Sequence, residues 1–247
     1  MLPSQKCYHI ALNKKIIESA KYAIMPGDPG RVKKIASLLD NPHFITQNRE
    51  YTSYIGYINN DPVLVISSGM GGPAAAICVE ELATCGIENI IRVGTCGGMQ
   101  PNVRSGDIII AQAAIRAEGT SREYAPIEFP ACADFYITSA LISSAKELNA
   151  KKHVGIVHCK DSFYGQHSPK SMPVSDELLY KWNAWKACGA LASEMETAAV
   201  FTVSRIRNIR AGAVLLCIWN QDFPDDENNF DTELESKIAI KAIDYLM

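Results

Sequence analysis

The chain has 247 residues, with 24 Lys and Arg against 27 Asp and Glu and a formal charge of −3. Hydrophobic residues make up 47% and charged residues 21%, an ordinary globular balance with enough apolar side chains for a sizeable core. A mildly acidic chain with no Lys/Arg block makes a poor partner for nucleic acid or a membrane surface, and its high apolar content excludes disorder.

Short apolar runs alternate with helical patterns along most of the length. Tyr22–Pro26 reads as a strand, then a Gly-Asp-Pro-Gly turn and a helix over Val32–Leu39. Pro62–Ser68 is a buried strand, and Ala74–Cys85 a helix after a glycine-rich turn. Asn89–Val93 and Asp107–Ile115 follow as strands, the first ending in a second glycine cluster. Phe135–Leu148 is helical, His153–Cys159 a strand and Glu194–Ile206 a helix. Ala211–Asn220 is the last strand, and Phe230–Leu246 an amphipathic helix. Alternation of this kind specifies an α/β fold with a largely buried sheet. No repeat or Pro/Gly/Ser linker divides the sequence, so residues 1–247 read as one domain. Two irregular stretches, Glu118–Ala133 and Ser162–Ser175, read as loops over a site.

The N-terminal MLPSQKCYHIALNKK has no continuous apolar stretch and no small-residue cleavage pattern, so it does not read as a signal peptide. The longest apolar runs, such as Ile108–Ala111 and Ala213–Trp219, fall far short of the ~20 residues of a membrane helix. Cys7, Cys78, Cys85, Cys96, Cys132, Cys159, Cys188 and Cys217 include no C-x-x-C pair. They read as free, mostly buried thiols in a reducing cytoplasm, with neither a disulfide frame nor a metal site.

In sheets of this class ligands collect at the carboxyl ends of strands. Gly27-Asp28-Pro29-Gly30-Arg31 follows the first strand and offers exposed N–H groups and a forked donor to an anion, or is a turn with a surface arginine. Gly69-Met70-Gly71-Gly72-Pro73-Ala74 fits the dinucleotide pattern G-x-G-x-x-A, but the acidic residue at the right distance, Glu88, precedes the next strand instead of ending it. There is no P-loop. Arg92, inside an apolar strand, needs an anion or a carboxylate, and Thr95 adds a hydroxyl just beyond it. Arg49, in Asn48-Arg49-Glu50-Tyr51, is by itself a surface charge. Together Arg31, Arg49 and Arg92, two glycine turns and Thr95 suggest a site for one phosphate-sized anion.

Ser193-Glu194-Met195-Glu196-Thr197 begins an otherwise apolar helix. The helix dipole accounts for one carboxylate there. Two Glu flanking a Met suggest more, because a carboxylate so placed can accept from both hydroxyls of a sugar diol.

Ordered along the chain, P-G-D-P-G-R (26–31), N-R-E-Y (48–51), S-S-G-M-G-G-P (67–73), V-E-E-L (79–82), R-V-G-T-C-G (92–97), E-F-P-A-C-A-D-F (128–135), D-S-F-Y-G-Q (161–166) and E-M-E-T-A (194–198) form a specific set. With them the chain resembles the nucleoside phosphorylase I family, and within it the branch that cleaves uridine. The resemblance implies a single-domain α/β fold with a central mixed sheet flanked by helices, assembled as a homohexamer of three dimers. It implies reversible phosphorolysis of uridine, with 2′-deoxyuridine as a second candidate, by inorganic phosphate in pyrimidine salvage, with no cofactor. Gly27, Arg31, Arg92 and Thr95 match phosphate-binding positions, and Arg49 the arginine that reaches the neighbouring subunit's phosphate. Glu196 matches the carboxylate on the ribose hydroxyls, with Met195 under the sugar. His9, which alone reads as an exposed terminal histidine, matches the residue that crosses to the partner's ribose. Phe163 and Gln166 match residues around the base.

Three departures from the family pattern matter. The base loop reads Gly165-Gln166-His167-Ser168-Pro169-Lys170, with Ser168 where an arginine is usual. His167 and Lys160 are therefore the expected replacement donors, acting with Arg92 as the catalytic residues; Lys170 is a weaker candidate, and Lys160 has a salt bridge to Asp161 as its alternative role. Purine-cleaving relatives place an Asp after the late strand, where this chain has Asn220, although Asp222 follows closely; inosine-type substrates are the alternative within the fold. The family's monovalent-cation site uses a Glu and a Ser hydroxyl, here Glu50 and Ala74, which argues against a potassium requirement.

Overall fold

The computed structural model describes residues 5–226 and 230–247; the first four residues of the N-terminal segment read above lie outside them. The chain enters its sheet at β1 (Tyr22–Pro26) and turns through α1 (Pro29–Ala36) into β2 (Asp40–Asn48), β3 (Tyr51–Ile58) and β4 (Asp61–Ile66). Helix α2 (Gly72–Cys85) leads to β5 (Asn89–Gly98) and β6 (Ile108–Ala117), followed by α3 (Thr120–Tyr124), β7 (Ala131–Cys132) and α4 (Phe135–Glu147). Then come β8 (Lys152–Lys160), α5 (Phe163–His167), α6 (Ser175–Ala187), β9 (Ala192–Glu194), α7 (Thr197–Ile206), β10 (Arg210–Asn220) and α8 (Leu234–Leu246).

These strands make one ten-stranded mixed sheet, the α/β architecture expected. β5 lies parallel to both β1 and β10 and antiparallel to β9; β10 runs antiparallel to β6, and β6, β8 and β9 are mutually parallel neighbours. The pairings β5–β10–β6–β8–β9–β5 therefore close a ring, from which β1, β4, β3 and β2 extend as an open arm.

Central strands are buried on both faces, so alternate residues feed two apolar clusters. Leu64, Ile90, Ile109 and Leu215 join Val79 and Leu82 of α2 and Val200 and Phe201 of α7. Val63, Ile91, Ile108 and Val214 join Val32 of α1, Ile137 and Leu141 of α4 and Ile238 of α8.

Several boundaries differ from expectation. The β2–β3 hairpin is unforeseen, because its outer strand is polar and largely exposed and its turn uses Arg49 at φ +54° instead of a glycine. β5 runs on through its glycine cluster to Gly98, held there by Asn220 of β10 and Ala192 of β9. The two expected loops contain α3 and β7 in one case and α5 in the other. Helix α8 starts at Leu234, four residues later than Phe230. The expected helix from Glu194 begins instead at Thr197, because Glu194 ends strand β9, paired with Cys159.

Candidate active site

The ring's open mouth leads into a cavity of about 830 Å³, to which β1, β5, β8 and β9 deliver their carboxyl ends. Gly27, Arg31, Arg92, Thr95, Met195 and Glu196 all line it. Asp28 caps α1 by accepting from the Gly30 N–H at 2.8 Å, which fixes the first turn that carries Arg31. Arg31 in turn donates through Nη2 to Glu235, a fully buried carboxylate at the start of α8. Gly69 (φ +72°) must be glycine: a Cβ there would meet Cγ of Glu50 at 2.7 Å.

Arg92 organises the floor. Its Nε donates to Glu194 at 3.1 Å, its Nη2 donates to Glu196 and lies 3.0 Å from Glu194 as an ion pair, and its Nη1 is buried without a partner among the described residues. Glu194 also accepts from the N–H groups of Glu196 and Thr197, both at 2.9 Å, and so caps α7 from the preceding strand. Burial opposes ionisation of Glu194, but Arg92 and those two N–H groups outweigh it and hold the carboxyl below its ordinary range. Glu196 has fewer donors. Burial, opposed by Arg92 and reinforced by Glu194, leaves its carboxyl raised. The Gly71 N–H reaches its Oε1 at 2.7 Å, clamping this carboxylate to the glycine turn before α2.

The far side is aromatic. The rings of Phe163 and His167 lie 4.2 Å apart and those of His167 and Trp219 5.4 Å apart, forming a wall beside Lys160. Lys160 is only 8% exposed, and burial lowers its pKa. It forms no ion pair among the described residues. Asp161, its expected alternative partner, instead accepts from the Gly119 N–H at 2.8 Å. The ammonium donates to the Ser193 hydroxyl at 2.8 Å. Lys160 also borders a second, more apolar cavity of about 680 Å³, lined by Ala114, Phe129, Leu178 and Trp182. Gln166 faces that second cavity, not the first.

His9 and Arg49 stand outside both cavities but close to one another. Glu81 accepts from Nδ1 of His9 at 2.7 Å and from the N–H groups of His9 and Ile10, while Asn48 donates to the His9 carbonyl at 2.7 Å. Arg49 lies over the ring of Tyr8, 5.8 Å from its centre. The three arginines thus do not converge: Arg31 and Arg92 line the cavity and Arg49 does not. Asn220 is buried, its amide donating to the carbonyls of Gln100 and Val103 at 3.0 and 2.7 Å, and Asp222 is turned away to Lys186. Lys170 is exposed and lines neither cavity. Glu50 and Ala74 do lie together beside Gly69, but Ala74 brings a methyl group, and its carbonyl accepts from Tyr51 at 2.9 Å. The pair therefore does not fit a carboxylate-plus-hydroxyl cation site.

The model of the phosphorylase superfamily matches residues 21–245. The chain belongs to that superfamily. It is 50% identical to a uridine phosphorylase of Treponema pallidum (strain Nichols) over 97% of this chain and 94% of that protein. It is 40% identical to a uridine phosphorylase of Escherichia coli (strain K12) over 95% and 96%. A guanosine phosphorylase of Halorubrum lacusprofundi matches at 40% identity over 78% of this chain and 75% of that protein.

For a superfamily member of this kind, three residues of the site are absent from the sequence reading. Ser193 and His158 are buried near the carboxyl ends of β9 and β8, strands that already carry Glu194 and Lys160, so one more polar residue there gave no distinct signal. Glu235 carried no signal, because an acidic residue in a first helical turn is ordinary on the surface. Its burial follows only from tertiary packing against Arg31.

Proposed function

We propose that the chain is a uridine phosphorylase, a pentosyltransferase that converts uridine and inorganic phosphate to uracil and ribose 1-phosphate and runs in both directions. The observation that carries this reading is the buried Arg92. It grips the Glu196 carboxylate while one guanidinium nitrogen lacks an acceptor among the described residues, in a cavity that the exposed Thr95 also lines. An anion beside Arg92, Arg31, Thr95 and the N–H of Gly27 supplies that acceptor. Glu196 then accepts from the ribose diol, Met195 lies under the sugar, and phosphate is held in line with C1′.

Chemistry needs no protein nucleophile. A phosphate oxygen forms the new bond to C1′ as the C1′–N1 bond breaks, and the electron pair leaves with the base as a uracil anion. Arginine charge favours the oxocarbenium-like transition state through the phosphate it positions. Lys160 and His167, beside Phe163 and Trp219, are the donors for the departing carbonyl oxygen. No cofactor is used, and potassium is not required, since Ala74 gives a cation no hydroxyl.

The placement of His9 and Arg49 together, outside their own cavity, supports a shared site in which each protomer lends both residues to its neighbour, within a hexamer of three dimers. The free cysteines, six of the eight buried, fit a reducing cytoplasm and a role in pyrimidine salvage. A purine substrate is disfavoured because Asn220 and Asp222 are both committed elsewhere.

Incubation with uridine, inosine or guanosine, each with and without phosphate, tests the reading. Phosphate-dependent release of uracil is the expected result. Release of hypoxanthine or guanine alone, or uracil release independent of phosphate, overturns it.

A further inference from the structure

The segment Cys7–Ile10 is fastened to α2 by two residues one helical turn apart, Glu81 and Cys85. The Cys7 thiol donates to the Glu81 carbonyl at 3.6 Å and lies 3.8 Å from the Cys85 sulfur. Oε2 of Glu81 accepts from the N–H groups of His9 and Ile10 at 3.0 and 2.8 Å. Its Oε1 lies 2.7 Å from Nδ1 of His9 and 3.1 Å from the His9 N–H. The Tyr8 ring stands edge-on to the imidazole at 4.8 Å. Nε2 of that imidazole makes no hydrogen bond among the described residues, and the side chain is 33% exposed.

Proton positions follow from this geometry. A carboxylate that faces three N–H directions only accepts, so the Nδ1 beside it carries a proton. In a neutral imidazole the other nitrogen, Nε2, then presents a bare lone pair outward.

We infer that Glu81 is a positioning residue that sets the tautomer of His9, so that this histidine receives a proton from the substituent on the sugar's 5′ carbon. The inference rests on the uridine phosphorylase reading, in which His9 crosses to the neighbour's ribose. It deepens that reading by naming a substrate class, nucleosides whose 5′ group is a hydrogen-bond donor. The hydroxyl of uridine qualifies, and so does a 5′-ammonium; a 5′-methyl does not.

Glu81→Gln is the discriminating change. The two N–H groups on Oε2 hold the amide oxygen there, because a peptide nitrogen cannot give up its proton. The amide NH₂ is left facing Nδ1, which must become an acceptor and send the ring proton to Nε2. His9 then donates where it formerly accepted.

The test titrates wild type, Glu81→Gln and each combined with His9→Ala, by calorimetry at about pH 8 without phosphate, where free imidazole is neutral. The ligands are uridine, 5′-deoxyuridine and 5′-amino-5′-deoxyuridine, and nitrogen NMR reads the ring protons directly. Wild type should show a protonated Nδ1 and a bare Nε2 on His9, and Glu81→Gln the reverse. Wild type should bind the amine about tenfold more tightly than 5′-deoxyuridine. Glu81→Gln should invert that order yet hold uridine within about threefold, since a hydroxyl accepts as well as donates. His9→Ala should erase the differences in both backgrounds. A proton on Nε2 in wild type overturns the inference, as does an amine preference that survives Glu81→Gln. Equal losses for all three ligands also overturn it, marking Glu81 as a structural tie alone. The two readings fail separately. A His9-dependent amine preference without phosphate-dependent uracil release overturns the enzymatic reading, and uracil release without that preference overturns this one.

Discussion

Glu235 and Arg31 are 204 residues apart in the chain, yet the carboxylate of one receives Nη2 of the other at the edge of the cavity. Only one of its oxygens is engaged among the described residues, where Oε2 of Glu235 is buried without a partner. A buried carboxylate kept for a single guanidinium is costly to the fold, burial raising its pKa even against Arg31. On the proposed reading its effect is to hold Arg31 toward the phosphate. Glu235→Gln should raise KM for phosphate by about tenfold and leave KM for uridine within about twofold. Initial rates over a phosphate series measure it, and equal effects on both substrates would remove Glu235 from phosphate positioning.

On the proposed reading Arg92 has two obligations, to the fold and to the anion. Arg92→Ala strands Glu194 and Glu196 in a buried setting and should destabilise the protein by about 3–5 kcal/mol in denaturant titration. Arg92→Lys keeps a charge but loses the fork that reaches both carboxylates. It should remain folded while kcat/KM falls by about a hundredfold or more. A fully active Arg92→Lys would show that a point charge suffices there.

Stability should depend on pH through His158. Burial, with the Lys160 charge beside it, lowers its pKa from 6.5 to about 4. Between those values the unfolded chain binds a proton that the native state refuses. The native state therefore loses stability as pH falls from about 6.5 toward 4, by up to about 3 kcal/mol at the lower end, and the contribution is fully present above 6.5. His158→Gln, which cannot titrate, should flatten that part of the profile in urea melts at a series of pH values.

Asn220 separates a structural role from a catalytic one. Installing the purine-type acid, Asn220→Asp, would set a carboxylate against the carbonyls of Gln100 and Val103, which now receive the amide. The variant should lose about 1–3 kcal/mol and gain no inosine cleavage. Thermal melts and a hypoxanthine-release assay check both halves.

Much of this site is legible in the residues themselves. Arg92 declares itself as a charge in an apolar strand, and of the two partners its setting allowed, an anion or a carboxylate, the structure shows the carboxylates Glu194 and Glu196. The lining by Gly27, Arg31, Thr95, Met195 and Glu196 follows from strand ends and glycine turns. Other features are hidden because their cause is non-local. The acidic start of the Glu194–Ile206 segment looks like a helix with Glu194 in its first turn; in fact Glu194 caps that helix from a three-residue strand paired with β5 and β8. The stretch after β6 looks loose, but Arg116 donates to the carbonyls of Ser121, Ala125, Pro126 and Phe129 and holds it as ordered structure. Helix α6 shows no buried face, so periodicity had nothing to report. Gln166 illustrates the limit at the level of one side chain: its place in the chain is readable, but not that its amide oxygen accepts from Ser193 of β9 at 2.7 Å.

The closed ring has a consequence for how the protein comes into being. Strand β10 is made long after β5 and β6, yet it lies between them in the sheet. Until it leaves the ribosome, both neighbours expose unpaired apolar edges, the kind of surface that recruits other chains. Glu235, which steadies Arg31, arrives later still. A nascent chain thus gains its catalytic floor and its protection from aggregation in nearly the same event. How soon β10 follows β5 and β6 during synthesis then bears on the yield of working enzyme alongside the stability of the finished molecule.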